Sequence, residues 1–192
     1  MAESKALDRR VVRTRQALTA AFSEALLASG YDRLNVEAIA ARANIGRSTF
    51  YLHFSGKAEI LTKSLATHFA VLADAVVVEG DMETLRKVIE HFGGNRELAK
   101  QIFCSAARQV LSRSLAALMA ERLRPIWPKK RTDASYLPLG LAAWQIAEAQ
   151  LATIEQWLGG NFRCSPAIIS LALRRSSQAM SLALLSCAKN PE

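Results

Sequence analysis

The sequence predicts an all-α chain in two parts, a compact three-helix unit over residues 1–62 and a larger helical domain over residues 63–192. Three observations carry this expectation. Apolar residues recur at spacings of three and four along segment after segment, which gathers them on one face of a helix. Clusters of Gly, Asn and Pro punctuate those segments, at Gly30, Asn44 to Gly46, Gly80-Asp81, Gly93 to Asn95, Pro125 to Pro128 and Gly159 to Asn161. With 192 residues and 51% hydrophobic content, the chain has ample material for the core of one large or two small domains.

Taken in order, residues 1–8 are polar and are expected to be loose, and the cluster Arg9, Arg10, Arg13 and Arg15 opens the first helix. That cluster suits either a solvated helix end or an arm lying along phosphates. Leu18, Phe22, Ala25 and Leu26 form one stripe, and the helix stops at Gly30, where a left-handed residue is expected. The second helix starts after Asn35, whose side chain can accept an orphan N–H of the first turn, and runs to Ala43 with Val36, Ile39, Ala40 and Ala43 on its buried face. Asn44, Ile45 and Gly46 make a tight turn, because Asn and Gly tolerate a left-handed backbone. A very short third helix runs from Arg47 to about His53, with Phe50 and Phe54 directed into the three-helix core.

Lys57 begins a fourth helix with the stripe Ile60, Leu61, Leu65, Phe69 and Leu72, and Glu59 is placed to fold back on the Gly56 N–H. Next come a short helix from Met82 to Phe92 and another from Arg96 to about Leu111, which is expected to continue through Ser112 to Arg122. Pro125, Pro128 and the basic run 129–131 mark an exposed connection. A long helix follows from Ala134 or Ser135 to Leu158, and Pro166 opens a last one to about Cys187. Neither of these two has a polar face wide enough for solvent, so a partner surface is expected.

The chemistry concentrates in the third helix, where Arg47, Ser48, Thr49, Tyr51 and His53 crowd donors onto one small surface. Such a surface suits the major groove of double-stranded DNA. Arg can read guanine in bidentate fashion, a contact worth ~1–3 kcal/mol of base discrimination, and hydroxyls reach bases or phosphates. Arg47 is therefore the expected base reader, with Thr49, Tyr51 and His53 holding phosphates. A formal charge of +8 and a pI near 9.8 favour a polyanionic partner. The asymmetry is mild, since residues 1–63 hold ten basic and six acidic side chains and the rest of the chain fifteen and eleven.

The run from about Thr14 to Leu61 resembles the N-terminal domain of the tetracycline-repressor (TetR) family. The resemblance rests on Gly30-Tyr31 closing the first helix, the Ile39-Ala40 pair in the second, and the T-F-Y-x-H-F-x-x-K pattern from Thr49 to Lys57. It covers the first third of the chain closely and the remainder in length and helical character. It implies a homeodomain-like helix-turn-helix domain followed by an α-helical ligand-binding and dimerisation domain. It also implies phosphate contacts from Asn35, Thr49, Tyr51, His53 and Lys57, with Arg47 and Ser48 nearest base edges. Three positions depart from the family pattern: Asn44 where Gly is commonest, and Gly46 and Gly56 where a side-chain cap is usual. A further implication is a homodimer through the last two helices on a pseudo-palindromic operator. The fourth helix would carry movement from the second domain to the DNA-reading helices.

The expected function is a sequence-specific transcriptional regulator, a repressor released from its operator by an unknown small-molecule effector. The alternative is a DNA-binding regulator controlled by a protein partner or by dimerisation alone. Phe69, Phe103, Arg108, Trp144 and Glu148 are the candidate pocket residues, although aromatics at helical spacing are more often simple core, and no ligand class follows from them. Catalysis is not expected: Gly46-Arg47-Ser48 begins like a nucleophile elbow but Phe50 fills the second Gly position, and no Walker, G-x-G-x-x-G or H-E-x-x-H pattern is present. Cys104, Cys164 and Cys187 form no C-x-x-C pair and lie near no His at metal-ligand spacing. No metal site or cofactor is expected, and each thiol reads as a small apolar packing residue. The N-terminus has no apolar signal region and no run reaches the ~18 residues of a membrane span, so a cytoplasmic protein without membrane contact is expected.

Overall fold

The computed structural model describes residues 2–77, 81–128 and 137–187, the side chains of 2–8 and 187 excepted. Every regular element among them is a helix: α1 (Ala2–Arg33), α2 (Val36–Arg42), α3 (Arg47–His53), α4 (Lys57–Asp74), α5 (Met82–Gly94), α6 (Arg96–Phe103), α7 (Arg108–Leu123), α8 (Leu139–Gly159) and α9 (Pro166–Cys187).

The first helix is longer than expected. Its backbone is helical from Ala2, where a loose segment was read, since A-E-S-K-A-L is rich in strong helix formers. It breaks at Gly30 (φ 76°, ψ 160°), a conformation that strains a residue bearing a Cβ, and a Cβ there would also come within 2.9 Å of the Gln101 side chain. Leu18, Phe22, Leu26, Tyr31, Leu34, Ile39, Phe50 and Phe54 close one apolar cluster with Ile60 and Leu61 from the start of α4.

From that cluster α4 continues without a break into the second layer, burying Leu65, Phe69 and Leu72 against helices that follow. Its far end is tied down by side chains of the last two helices. Gln150 Nε2 donates to Leu72 O (3.1 Å) and to Ser177 Oγ (2.8 Å), Gln178 Nε2 to Val77 O (3.0 Å), and Ser181 Oγ to Val76 O (3.1 Å). Carbonyls at and just beyond a helix C-terminus lack the i+4 helical partner, so these bonds satisfy Val76 O and Val77 O and add a second donor to Leu72 O, which also accepts from Ala75 N (3.3 Å). Arg122 adds an ion pair to Asp74 (2.6 Å). A second link between the layers runs outside α4, where Asp32 Oδ1, at the end of α1, accepts from Ala106 N (3.1 Å).

Two boundaries depart from the sequence expectation. The helix read as continuous from Arg96 is divided at Cys104 to Ala107, where Ser105 Oγ donates to Ile102 O and accepts from Ala107 N, while Asp32 takes the N–H of Ala106. Side-chain groups thus replace the helical ladder over that turn. The long helix starts at Leu139 with Pro138 as its N-cap, and the expected start at Ala134 or Ser135 lies outside the described residues. The basic run 129–131 lies outside the described residues. The last helix matches its expected span, and α8 ends at Gly160 in the left-handed region (φ 87°). Arg96 caps that end by donating to Trp157 O (3.0 Å) and Leu158 O (2.7 Å). Among the described residues no helix is long and apolar enough to cross a membrane.

Candidate nucleic-acid interface

The turn between α2 and α3 is built locally. Asn35 Oδ1 accepts from Ala38 N (2.8 Å), the capping bond expected of it, and Ala43 ends α2 as its C-cap. Asn44 takes the left-handed backbone (φ 51°), whereas Gly46 is extended (φ −64°, ψ 147°) and caps α3 without a side chain. Ile45 packs against the core, its N–H donating to Ala40 O (2.9 Å). Phe50 and Phe54 are buried as expected and hold α3 by its inner face.

The other side chains of α3 face outward. Ser48 and Tyr51 are exposed, and Thr49 and His53 are partly so. Arg47 is exposed and engaged: its guanidinium pairs with Glu37 of α2 (2.9 Å) and lies 5.9 Å from the Tyr51 ring centroid. An exposed pair of this kind is worth ~1 kcal/mol or less, so a phosphate or a guanine edge competes with it on even terms. Leu52 is 81% exposed, the most exposed of the large apolar side chains among the described residues. It is absent from the residues that the sequence singled out, although its place in T-F-Y-x-H-F, four after Ser48, puts it on the same face.

Lys57 sits differently. Its ammonium donates to Tyr31 O and Leu34 O (both 2.9 Å) and lies 4.6 Å from the Tyr31 ring centroid, leaving one N–H for an outside acceptor. It pins the end of α1 to the start of α4. Glu59 folds back as expected, but onto Ser55 N (2.6 Å) rather than Gly56. Its hydrogen bond to Lys63 and the bond from Ser55 lower its carboxyl to about 2, so it is ionised at any physiological pH.

The side chains read as a possible effector pocket are engaged in the core and in an ion-pair network. Phe69 and Phe103 are core residues, each 1% exposed, and Phe103 meets Phe92 edge-on. Arg108 is occupied by Glu148 (2.7 Å), Glu155 (3.4 Å) and Ser112 (2.6 Å), a network that fastens α7 to α8. Trp144 is partly buried against the core. None of these five lines a described cavity. A recess of about 540 Å³ is lined by Arg96, Trp157, Gly160, Phe162, Arg163 and Cys164, and the adjoining apolar groove of about 420 Å³ by Ala152, Thr153, Gln156, Trp157, Phe162, Cys164 and Ile169. A smaller one of about 230 Å³ lies between the end of α4 and the start of α5. The reading of the cysteines as packing residues fails for Cys104 and Cys164, which are both exposed, Cys104 because it caps α6 at the surface turn; the side chain of Cys187 lies outside the described residues. Among the described residues no cluster of three metal-binding side chains occurs.

Residues 18–63 match the family model described as bacterial regulatory proteins, tetR family. Two curated relatives each match part of the chain. An uncharacterized HTH-type transcriptional regulator, YxbF, of Bacillus subtilis is 36% identical over 77 residues, 40% of this chain and 20% of the relative. A DNA-binding transcriptional repressor TetR of Mycobacteroides abscessus is 35% identical over 68 residues, 35% of this chain and 36% of the relative. The matches thus span well under half the length of either relative. Likeness to solved structures runs further along the chain. A TetR transcriptional regulator of Streptococcus agalactiae superposes with TM-score 0.59 over 91% of this chain and 98% of that one at 21% identity. Thermus thermophilus FadR, a TetR-family repressor in complex with lauroyl-CoA, does so with TM-score 0.52 over 85% and 92% at 19% identity. At such identities the likeness is one of fold.

Proposed function

We propose that this chain is a tetR-family, sequence-specific, DNA-binding transcriptional regulator acting as a homodimer, a reading supported by the match of residues 18–63 to the family model. The observation that carries the reading is α3 itself. A seven-residue helix held from behind by Phe50 and Phe54 presents Arg47, Ser48, Thr49, Tyr51 and His53 outward, beside the polar N-terminal turn of α2 with its Asn35 cap. Arg47 and Ser48 take the base edges. Asn35, Thr49, Tyr51, His53 and the remaining Lys57 N–H take phosphates, which set the register of the helix in the groove.

Homodimerisation through α8 and α9 is supported by Leu141, Ile168, Leu171 and Leu182, apolar side chains between 41% and 64% exposed on those two helices. A two-fold axis there sets two α3 helices roughly one turn of DNA apart, ~34–36 Å, and calls for a pseudo-palindromic operator.

We further read the protein as a repressor that a small molecule releases. FadR of the same fold holds lauroyl-CoA, and α4 runs unbroken from the Lys57 anchor to the carbonyls gripped by Gln150. A ligand between the helices of the second domain acts only through unequal affinity for the two tilts of α4. The engagement of Phe69 and Phe103 in the core and of Arg108 with Glu148 favours the second reading, control by dimerisation or a protein partner. A thermal-shift screen separates the two, since a ligand of the folded form raises the melting temperature; hundreds of chemically varied compounds without one shift would leave the second reading standing. DNA binding itself is tested on the region flanking the protein's own gene, with random DNA as competitor. Loss of the preference for that region in Arg47→Ala, with folding intact, is the expected result.

A further inference from the structure

The base-reading surface is split between a charged side chain held to one side and an apolar one aimed straight out. In α3 each residue advances about 100° around the axis, so Leu52 and Ser48, two residues either side of the buried Phe50, lie together on the face opposite the core. Arg47, three before Phe50, lies near the flank and is drawn toward α2 by Glu37. Leu52 is therefore on the outward face of α3, opposite the buried Phe50. It is 81% exposed, yet the chain on either side of it is polar or basic in sequence, at Arg47, Ser48, His53, Lys57 and Lys63. A protein partner that buries leucine would meet an apolar surround, and the one other large apolar side chain exposed on α3 is Tyr51. The complementary surface is anionic at its margins and carries one small apolar group at its centre. The major groove of DNA has that composition, with phosphates on both rims and the thymine 5-methyl on its floor.

Resting on the DNA-binding reading above, we infer that Leu52 is a specificity-determining residue that reads the 5-methyl group of a thymine in each operator half-site, with Ser48 beside it hydrogen-bonding an adjacent base edge. The contact is van der Waals and needs no charge, so it adds sequence preference without adding salt dependence.

The test uses the intact protein and removes only the methyl. An operator is first selected from a random duplex library by the wild-type protein. Each of its thymines is then replaced, one at a time and in both half-sites, by deoxyuridine. Removing the methyl that Leu52 touches is expected to weaken the wild type by about fourfold per half-site, the worth of one buried methyl group. Leu52→Ala is expected to be weaker on the thymine operator and indifferent to that one replacement. Ser48→Ala, a separate variant, keeps the full uracil effect. If deoxyuridine at every position weakens wild type and Leu52→Ala by equal factors, the assignment of Leu52 is overturned while the regulator stands. If no sequence is enriched by the wild type, the DNA-binding reading is overturned together with it.

Discussion

At the scale of single residues, the interface depends on side chains that serve two purposes. Lys57 joins the Tyr31 and Leu34 carbonyls to the start of α4, and charge-assisted hydrogen bonds of a half-buried ammonium contribute about 1–2 kcal/mol. Lys57→Met should lower the stability of the folded chain by that amount in urea denaturation, and should also shallow the salt dependence of DNA binding by about one unit per site. A loss of DNA affinity with unchanged stability would mean that the two carbonyl bonds count for nothing. Glu37 works in the opposite sense. Since its exposed pair with Arg47 adds little, Glu37→Gln should leave stability within about 0.5 kcal/mol and tighten binding to random DNA, as a carboxylate leaves the groove-facing surface and frees Arg47. Titration of both forms with random duplex checks this. Neither pairing was legible in the sequence: Lys57 meets carbonyls 26 and 23 residues away, and nothing in the pattern tells that a phosphate-type lysine is committed internally. By contrast the Asn35 cap and the inward Phe50 were legible, because each follows from local spacing alone.

At the scale of elements, α4 couples the two parts of the chain, and its contact with α5 contains a titratable pair. His68 of α4 stacks on His91 of α5 with ring centroids 4.8 Å apart, and its Nδ1 is buried without a hydrogen-bond partner. Desolvation, with the neighbouring His91 second, lowers its pKa below the ordinary 6.5. Above that value the ring is neutral folded and unfolded alike. As pH falls below it the unfolded chain takes up a proton that the folded chain refuses, so stability declines from about pH 6.5 down to the folded pKa and then levels off. His68→Phe, which keeps the stacking and removes the stranded nitrogen, should flatten that decline, as denaturation curves at pH 7.5 and 5.5 would show; an equal decline in the variant would place its origin elsewhere. Helix existence was readable from periodicity throughout, but two boundaries were not read from it. The break at Ser105 depends on Asp32 arriving from α1, a tertiary partner, whereas the start of α8 was written in Pro138 and was overlooked in favour of the apolar run around it.

At the scale of the whole molecule, the proposed dimer rests on the outer faces of α8 and α9. On α9, Ile169 and Leu173 are buried with Ser170, Ser177 and Ser181, whereas Ile168, Leu171 and Leu182 are exposed. Those three leave an apolar face in water unless a second copy covers it. Sedimentation should therefore report twice the 21.0 kDa chain mass, and Ile168→Glu with Leu182→Glu should reduce it to one chain and cost the operator affinity that depends on two half-sites. A wild-type monomer at micromolar concentration would remove the symmetric operator from the account.

The central claim, that α3 reads DNA in a symmetric pair, is tested most directly by footprinting the wild-type protein on bound fragments selected from genomic DNA, at two salt concentrations. The account predicts a protected pseudo-palindrome whose half-sites lie about one helical turn apart, with affinity falling steeply as salt rises. Protection of a single unrepeated site, or binding that ignores sequence at both salt concentrations, would contradict it.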